Sequence, residues 1–224
     1  MLNISAAHIP TVLILRGTRN LQTQYEIARG LFANVREVGA PNGLIESVFI
    51  GELKGRLVGF ACVYGAPMAS EIVHIFGVLG TRAVIQTGNC GALADGLVAG
   101  DLFVPSEAFC GEGAGQYYKP DGQRVASIEE QFTPQQLLAE GEAEIAQWHQ
   151  QGFAAVDMET ATTFAVAEYF GMARAAILYV FDNPRWREHL LLSDPEKDVR
   201  RGQANSVARE LAFALALELD AGYR

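Results

Sequence analysis

The sequence predicts an α/β protein: one domain over residues 1–224, with a central twisted mixed β-sheet flanked by helices. Three observations carry that reading. Short apolar, β-branched runs recur at about 11–15, 48–53, 57–64, 83–87, 101–107 and 175–181. Helix-period segments lie between and after them, at about 22–31, 69–79, 160–170 and 205–219. The strand runs at 83–85 and 175–181 are apolar without alternation, as expected of strands buried on both faces. Half of the 224 residues are hydrophobic and 19% are charged, enough apolar mass for one large core.

Taken in order, Thr11–Leu15 forms a first strand and ends in Arg16-Gly17-Thr18-Arg19-Asn20, ahead of a helix. A strand, glycine turn and helix in that order aim N–H groups and the helix dipole at an anion. Val48–Leu53 and Leu57–Tyr64 read as a hairpin turning at Lys54-Gly55-Arg56, and Pro67 is placed to start the next helix. The central stretch follows: an apolar run from Ala83, a small-residue turn at Thr87-Gly88-Asn89-Cys90-Gly91, and a second β-type run at Leu102–Pro105 behind Gly100-Asp101. Gly88 and Gly91 lack a Cβ and so permit close approach of a ligand or of another backbone. Cys110–Gly122 is a glycine-rich loop with two tyrosines, Arg124–Phe132 a strand, and Glu140–Gln151 a polar helix bearing Trp148. Asp157-Met158-Glu159 stands at the entry to an alanine-rich helix. Asp182-Asn183-Pro184 closes the last apolar strand. The segment Arg185–Arg201 is charged and loop-like, ahead of a C-terminal helix.

The net charge of −9 argues against nucleic acid or an anionic membrane as the main partner, since both need a basic face. A small neutral ligand is compatible with it. The three cysteines, Cys62, Cys90 and Cys110, are too few for a disulfide framework and read as buried hydrophobes in a reducing cytoplasm. The first fifteen residues lack a basic segment and carry only a short apolar run, so neither a signal peptide nor a membrane span is expected there. No Cys/His cluster has metal-ligand spacing, and no metal or cofactor is expected.

Three stretches together resemble the nucleoside phosphorylase superfamily, the purine nucleoside and uridine phosphorylases and related nucleosidases. They are Gly88-Asn89-Cys90-Gly91-Ala92-Leu93 with Gly100-Asp101, then Asp157-Met158-Glu159, then the strand ending in Asp182. The resemblance runs from about Val12 to the C-terminal helix. It implies cleavage of an N-glycosidic bond in a nucleoside, with Glu159 and Met158 on the ribose and Asp182 donating a proton to the base. It also places Phe132 against the base, Gln136 at a uracil-type edge, and His8 in a neighbouring subunit's ribose site, hence a homo-oligomer, dimer or hexamer. Its acceptor pocket maps to Gly17, Arg19, Gln86, Gly88 and Asn89, with inorganic phosphate as a co-substrate in the phosphorylases.

The sequence departs from the family where phosphate binds. Leu21 and Gln86 stand where arginines are usual, Asn89 replaces Ser or Thr, and a third arginine position falls near Asn42 or Leu44. Arg16 and Arg19 either substitute for these or face solvent. Phe181 replaces the usual Ser before Asp182, and a helix expected between Tyr118 and Arg124 is missing. Bond cleavage of this kind builds positive charge on the sugar and negative charge on the base. It therefore needs an acid at the base, anchors at the hydroxyls and a nucleophile on the opposite face. Neutral Gln and Asn orient water but do not neutralise a dianion, so the acceptor reading leans to water over phosphate. A ligand-binding protein that kept the pocket and lost the chemistry stays open beside the enzyme.

Overall fold

The computed structural model describes residues 4–39, 45–111, 113–119, 124–126, 142–186 and 194–223. Asn42, Leu44, Phe132 and Gln136, all assigned from the sequence, lie outside these residues.

The architecture is a mixed sheet between two layers of helices. Its strands are β1 (Val12–Gly17), β2 (Ala33–Glu37), β3 (Val48–Leu53), β4 (Arg56–Val63), β5 (Ala83–Ala92), β6 (Leu102–Phe103), β9 (Ala155–Val156) and β10 (Ala173–Asp182). They run in the order β2-β3-β4-β1-β5-β10-β6, with β9 paired to the end of β5. The four central strands β4, β1, β5 and β10 are parallel, and the outer pairings are antiparallel. A separate ribbon joins β7 (Glu107–Phe109) to β8 (Arg124–Ala126). The helices are α1 (Leu21–Arg29), α2 (Gly65–Leu79), the single turn α3 (Gly113–Gln116), α4 (Glu142–Gln150), α5 (Thr160–Tyr169) and α6 (Pro195–Gly222).

Alternation along β1 assigns the layers. Val12 and Ile14 pack with Tyr25 and Ala28 of α1 and with Ala208, Ala212 and Ala216 of α6. Leu13 and Leu15 face the other way, onto Ala69, Ile72, Val73 and Phe76 of α2 and Val166 and Ala167 of α5. The alanines at four-residue intervals let α6 lie close against the sheet.

Four sequence expectations are corrected. Thr87–Gly91 does not turn: β5 runs on to Ala92, because β10 pairs with it as far as Gly91, with a bulge between Val180 and Asp182. Gly88 is required there by the crowding of β1, since a Cβ would sit 3.0 Å from the Gly17 carbonyl oxygen. The charged stretch before Asn205 is helical from Pro195, where the Asp194 side chain accepts from the Glu196 and Lys197 N–H groups and Pro195 sits in the first turn. Leu102–Pro105 contributes only two strand residues, and Cys110–Gly122 contains the short helix α3. The strand Ala33–Glu37, mostly exposed and polar, carries no apolar run and is not legible in the sequence.

Candidate functional site

The site forms where β5 changes partners. On one edge, β10 pairs with β5 as far as Gly91. On the other, β1 leaves at Thr87 and β9 takes over at Gly91, so Gly88, Asn89 and Cys90 are unpaired on that side. The gap opens at the carboxyl ends of parallel strands, where open α/β sheets hold their ligands. A cavity of about 360 Å³ fills it, walled by Arg16, Gly17, Asn89, Met158, Glu159 and Asp182 among others.

Glu159 is the best-anchored group in the cavity. It is 6% exposed, and its Oε1 accepts from the Gly65 N–H at 2.6 Å. Gly65 adopts φ +82°, a conformation natural to glycine, and this turns β4 into α2 with the first amide aimed at the carboxylate. Burial pushes the Glu159 carboxyl up to about 8, reinforced by the neighbouring Asp157 charge and opposed by backbone N–H donors and by Arg16. Asp157 is raised to about 6 by burial, although its Oδ2 accepts from both the N–H and the hydroxyl of Thr160. Asp157 thereby satisfies the Thr160 N–H at the start of α5. Gly17 completes the fit: a Cβ there would lie 2.6 Å from Glu159 Oε2 and 2.8 Å from Gln86 Nε2.

Arg16 enters the cavity from the other face of the sheet. It shares the face of Val12 and Ile14, is 5% exposed, and donates from Nη2 to Asn205 Oδ1 on α6 at 2.8 Å. Its guanidinium lies 5.9 Å from the Tyr179 ring centroid. Burial lowers its pKa, with Tyr179 and Cys62 opposing that shift. Arg19 sits exposed at the mouth, with its guanidinium 5.7 Å from the Tyr64 ring.

Asp182 ends β10 on the cavity wall, half-buried, with its Oδ1 3.3 Å from where a Cβ on Gly91 would stand. The strand end is clamped by Arg201 of α6, which donates from Nε to the Phe181 carbonyl at 2.6 Å and lies over the Phe181 ring at 4.3 Å. Phe181 thus has a packing partner where the family usually places a hydroxyl.

Glu159, Met158, Asp182, Gly17, Arg19 and Asn89 therefore share one cavity. Two residues expected in its wall stand behind it. Gln86 is fully buried, accepts from the Thr163 hydroxyl at 3.2 Å, and faces the α2–α5 layer rather than the opening. Gly88 is buried against Gly17. His8 lies apart from the cavity walls, exposed in a turn of 3-10 helix with Nδ1 2.6 Å from the Ser5 hydroxyl. Sequence reasoning did not find Tyr179, Asn205, Tyr64 or Gly65. Strand alternation carried a signal for the first, since Tyr179 is a polar tip inside an apolar strand. Among the described residues no group of three or more His, Cys, Asp or Glu is placed to hold a metal, and no helix is long and apolar enough to cross a membrane.

Residues 20–140 and 131–215 match the family model of the Phosphorylase superfamily, and the chain belongs to that superfamily. A guanosine phosphorylase of Halorubrum lacusprofundi is 25% identical over 139 residues, 53% of this chain and 58% of that protein. The match thus spans less than two thirds of that relative. Two crystal structures of uridine phosphorylase from Vibrio fischeri ES114 share the fold at 21% identity. One, complexed with 6-hydroxy-1-naphthoic acid, superposes with a TM-score of 0.74 over 96% of this chain and 93% of its own. The other superposes with a TM-score of 0.75 over 98% and 95%. Membership supports cleavage of a nucleoside's glycosidic bond as the family-level activity.

Proposed function

We propose that this protein is an enzyme that cleaves the N-glycosidic bond of a nucleoside. The observation that carries the reading is the convergence of Glu159, Met158 and Asp182 on one cavity at the carboxyl ends of β5 and β10. Glu159 serves the sugar: its Oε1 is held by Gly65, its Oε2 lies against Gly17, and Met158 lines the same cavity. Asp182 serves the base, as the acid that meets the negative charge developing on the leaving group. Asn89 and the Gly17 end of β1 lie where an attacking group approaches.

The reading includes a small-molecule nucleoside as the partner and no cofactor besides phosphate. It takes the working form to be a cytoplasmic homo-oligomer, dimer or hexamer, which sedimentation at micromolar concentration tests; a monomer rejects that assembly. The activity is tested by incubating a panel of purine and pyrimidine nucleosides with the protein, with and without phosphate, and measuring release of free base. Release from at least one nucleoside is expected. No release in either buffer, with nucleosides still raising the melting temperature, assigns the site to binding alone.

A further inference from the structure

We infer that Gln86 is a positioning residue: from behind the cavity wall its amide Nε2 is a second donor to the Glu159 carboxylate, beside the Gly65 N–H. The inference rests on the nucleoside-cleaving reading for what Glu159 does, and on geometry alone for the contact. Gln86 is fully buried, and its Nε2 is sealed from solvent with no hydrogen-bond partner among the described residues. The other end of the amide is fixed. The Thr163 hydroxyl donates to Gln86 Oε1 at 3.2 Å, and the Thr163 N–H donates to the Glu159 carbonyl at 2.9 Å. One turn of α5 thus ties the Gln86 amide to the Glu159 backbone and leaves Nε2 directed at β1. There it meets the same face of Gly17 as the Glu159 carboxyl: a Cβ on Gly17 would lie 2.8 Å from Gln86 Nε2 and 2.6 Å from Glu159 Oε2. Only a residue without a Cβ leaves these two polar atoms room to meet.

A buried amide N–H without an acceptor is costly, and folded chains rarely leave one idle. The acceptor across Gly17 is Oε2, and it accepts only when Glu159 is ionised. Oε1 already takes the Gly65 N–H at 2.6 Å, so the proton of the neutral acid belongs on Oε2, which then faces Nε2 as a donor. Burial pushes the carboxyl up to about 8, so the neutral form prevails at neutral pH. Ionisation frees Oε2 to accept from Nε2, and that bond in turn favours the ionised form. Gln86 thereby sets the pH at which Glu159 becomes a carboxylate able to accept from sugar hydroxyls. It acts through Glu159, since Gln86 itself does not line the cavity. The charged and titratable groups around Glu159 are Asp157 beside it, Arg16 on β1, and Arg19 and Tyr64 at the mouth. Cys90 on β5, with Tyr179 and Asp182 on β10, completes the set, while α2 presents the Gly65 N–H. The variants that follow leave all of these in place, so a moved titration reports the amide.

The test is the titration of Glu159 in the full chain, read by carbon-13 NMR of the glutamate carboxyls, with Glu159→Gln identifying the signal and the pH profile of kcat/KM measured beside it. Gln86→Leu keeps most of the bulk and removes the donor, so it should raise the Glu159 midpoint by about one to two pH units, the worth of one bond to a charged group. Thr163→Val releases the amide and should raise the midpoint by less. Val84→Ala opens a gap on the same face of β5 without removing a donor, and should leave the midpoint at its wild-type value. At pH 7 the kcat/KM of Gln86→Leu should fall by about 10- to 100-fold, with the gap closing at alkaline pH. A midpoint unmoved by Gln86→Leu, or raised equally by Val84→Ala, overturns the role. Should Gln86→Leu not fold, an unmoved midpoint in Thr163→Val overturns it. A midpoint that moves as expected in a chain that cleaves no nucleoside leaves the contact standing and rejects the nucleoside-cleaving reading instead.

Discussion

The two halves of the cavity hold their charges in opposite ways. On the α2–α5 face, Glu159 is met by a backbone N–H and flanked by Asp157, with every neighbour within a few residues of a turn or helix start. On the α6 face, Arg16 donates to the neutral Asn205 and sits against Tyr179, while its Nε and Nη1 have no hydrogen-bond partner among the described residues. Side chains of adjacent residues on β1 point to opposite faces, so Arg16 and Gly17 place a cation and a close-packed carboxylate on either side of one strand end. Both halves thus bury polar atoms without a partner among the described residues: Asp157 Oδ1 on one side, Arg16 Nε and Nη1 on the other.

That comparison breaks first at Glu159. Glu159→Gln keeps the volume and, above about pH 8 where the Glu159 carboxyl is ionised in the folded chain, removes the charge; there it should lower kcat/KM by about 100- to 1000-fold through loss of one or two charge-assisted bonds to the sugar. Circular dichroism should show the fold intact. Turnover within a few-fold of wild type would remove Glu159 from the sugar site.

Gly17→Ala sharpens the boundary between the halves. The added methyl would lie 2.6 Å from Glu159 Oε2 and 2.8 Å from Gln86 Nε2, so the carboxylate must shift. A roughly ten-fold fall in kcat/KM and a melting temperature lower by several degrees are expected, in line with overpacking costs of about 1–3 kcal/mol. An alanine variant indistinguishable from wild type in both would show that the fit at β1 is not tight.

The smallest effect is on stability against pH. Glu159 and Asp157 are both raised in the folded chain, to about 8 and about 6 from 4.5 and 3.8. The folded state binds their protons more tightly, so their contribution is fully present below about pH 4. It is lost as pH rises through the folded values. Denaturant midpoints should fall between pH 4 and 8, and Glu159→Gln should flatten the part between 6 and 8. A midpoint that rises across that window would contradict the burial of an uncompensated carboxyl pair.

Much of this arrangement is legible in the sequence, for physical reasons. The parallel strands read as apolar runs because both faces are covered, and Asp157-Met158-Glu159 reads as a unit because one turn holds all three. The opposite wall does not read, because its members, Arg16, Asn89, Tyr179 and Asn205, are scattered over β1, β5, β10 and α6 and meet only after the sheet is assembled. Asn205 looks like any polar helix residue, and Tyr179 like any strand aromatic. The family resemblance puts Gln86 in the wall, where an arginine is usual. Alternation along β5 instead gives Gln86 the face of Val84, so its side chain points into the α2–α5 layer. The charged run before Asn205 concealed a helix whose cap, Asp194, is local but whose apolar face begins only at Ala204.

The most direct test of the central claim is product release from a nucleoside. Incubation of purine and pyrimidine nucleosides with the protein, followed by chromatography and mass spectrometry, should give free base and a sugar product in equal amounts from at least one of them, and Glu159→Gln should lose most of both. Nucleosides recovered intact across the whole panel would contradict the account.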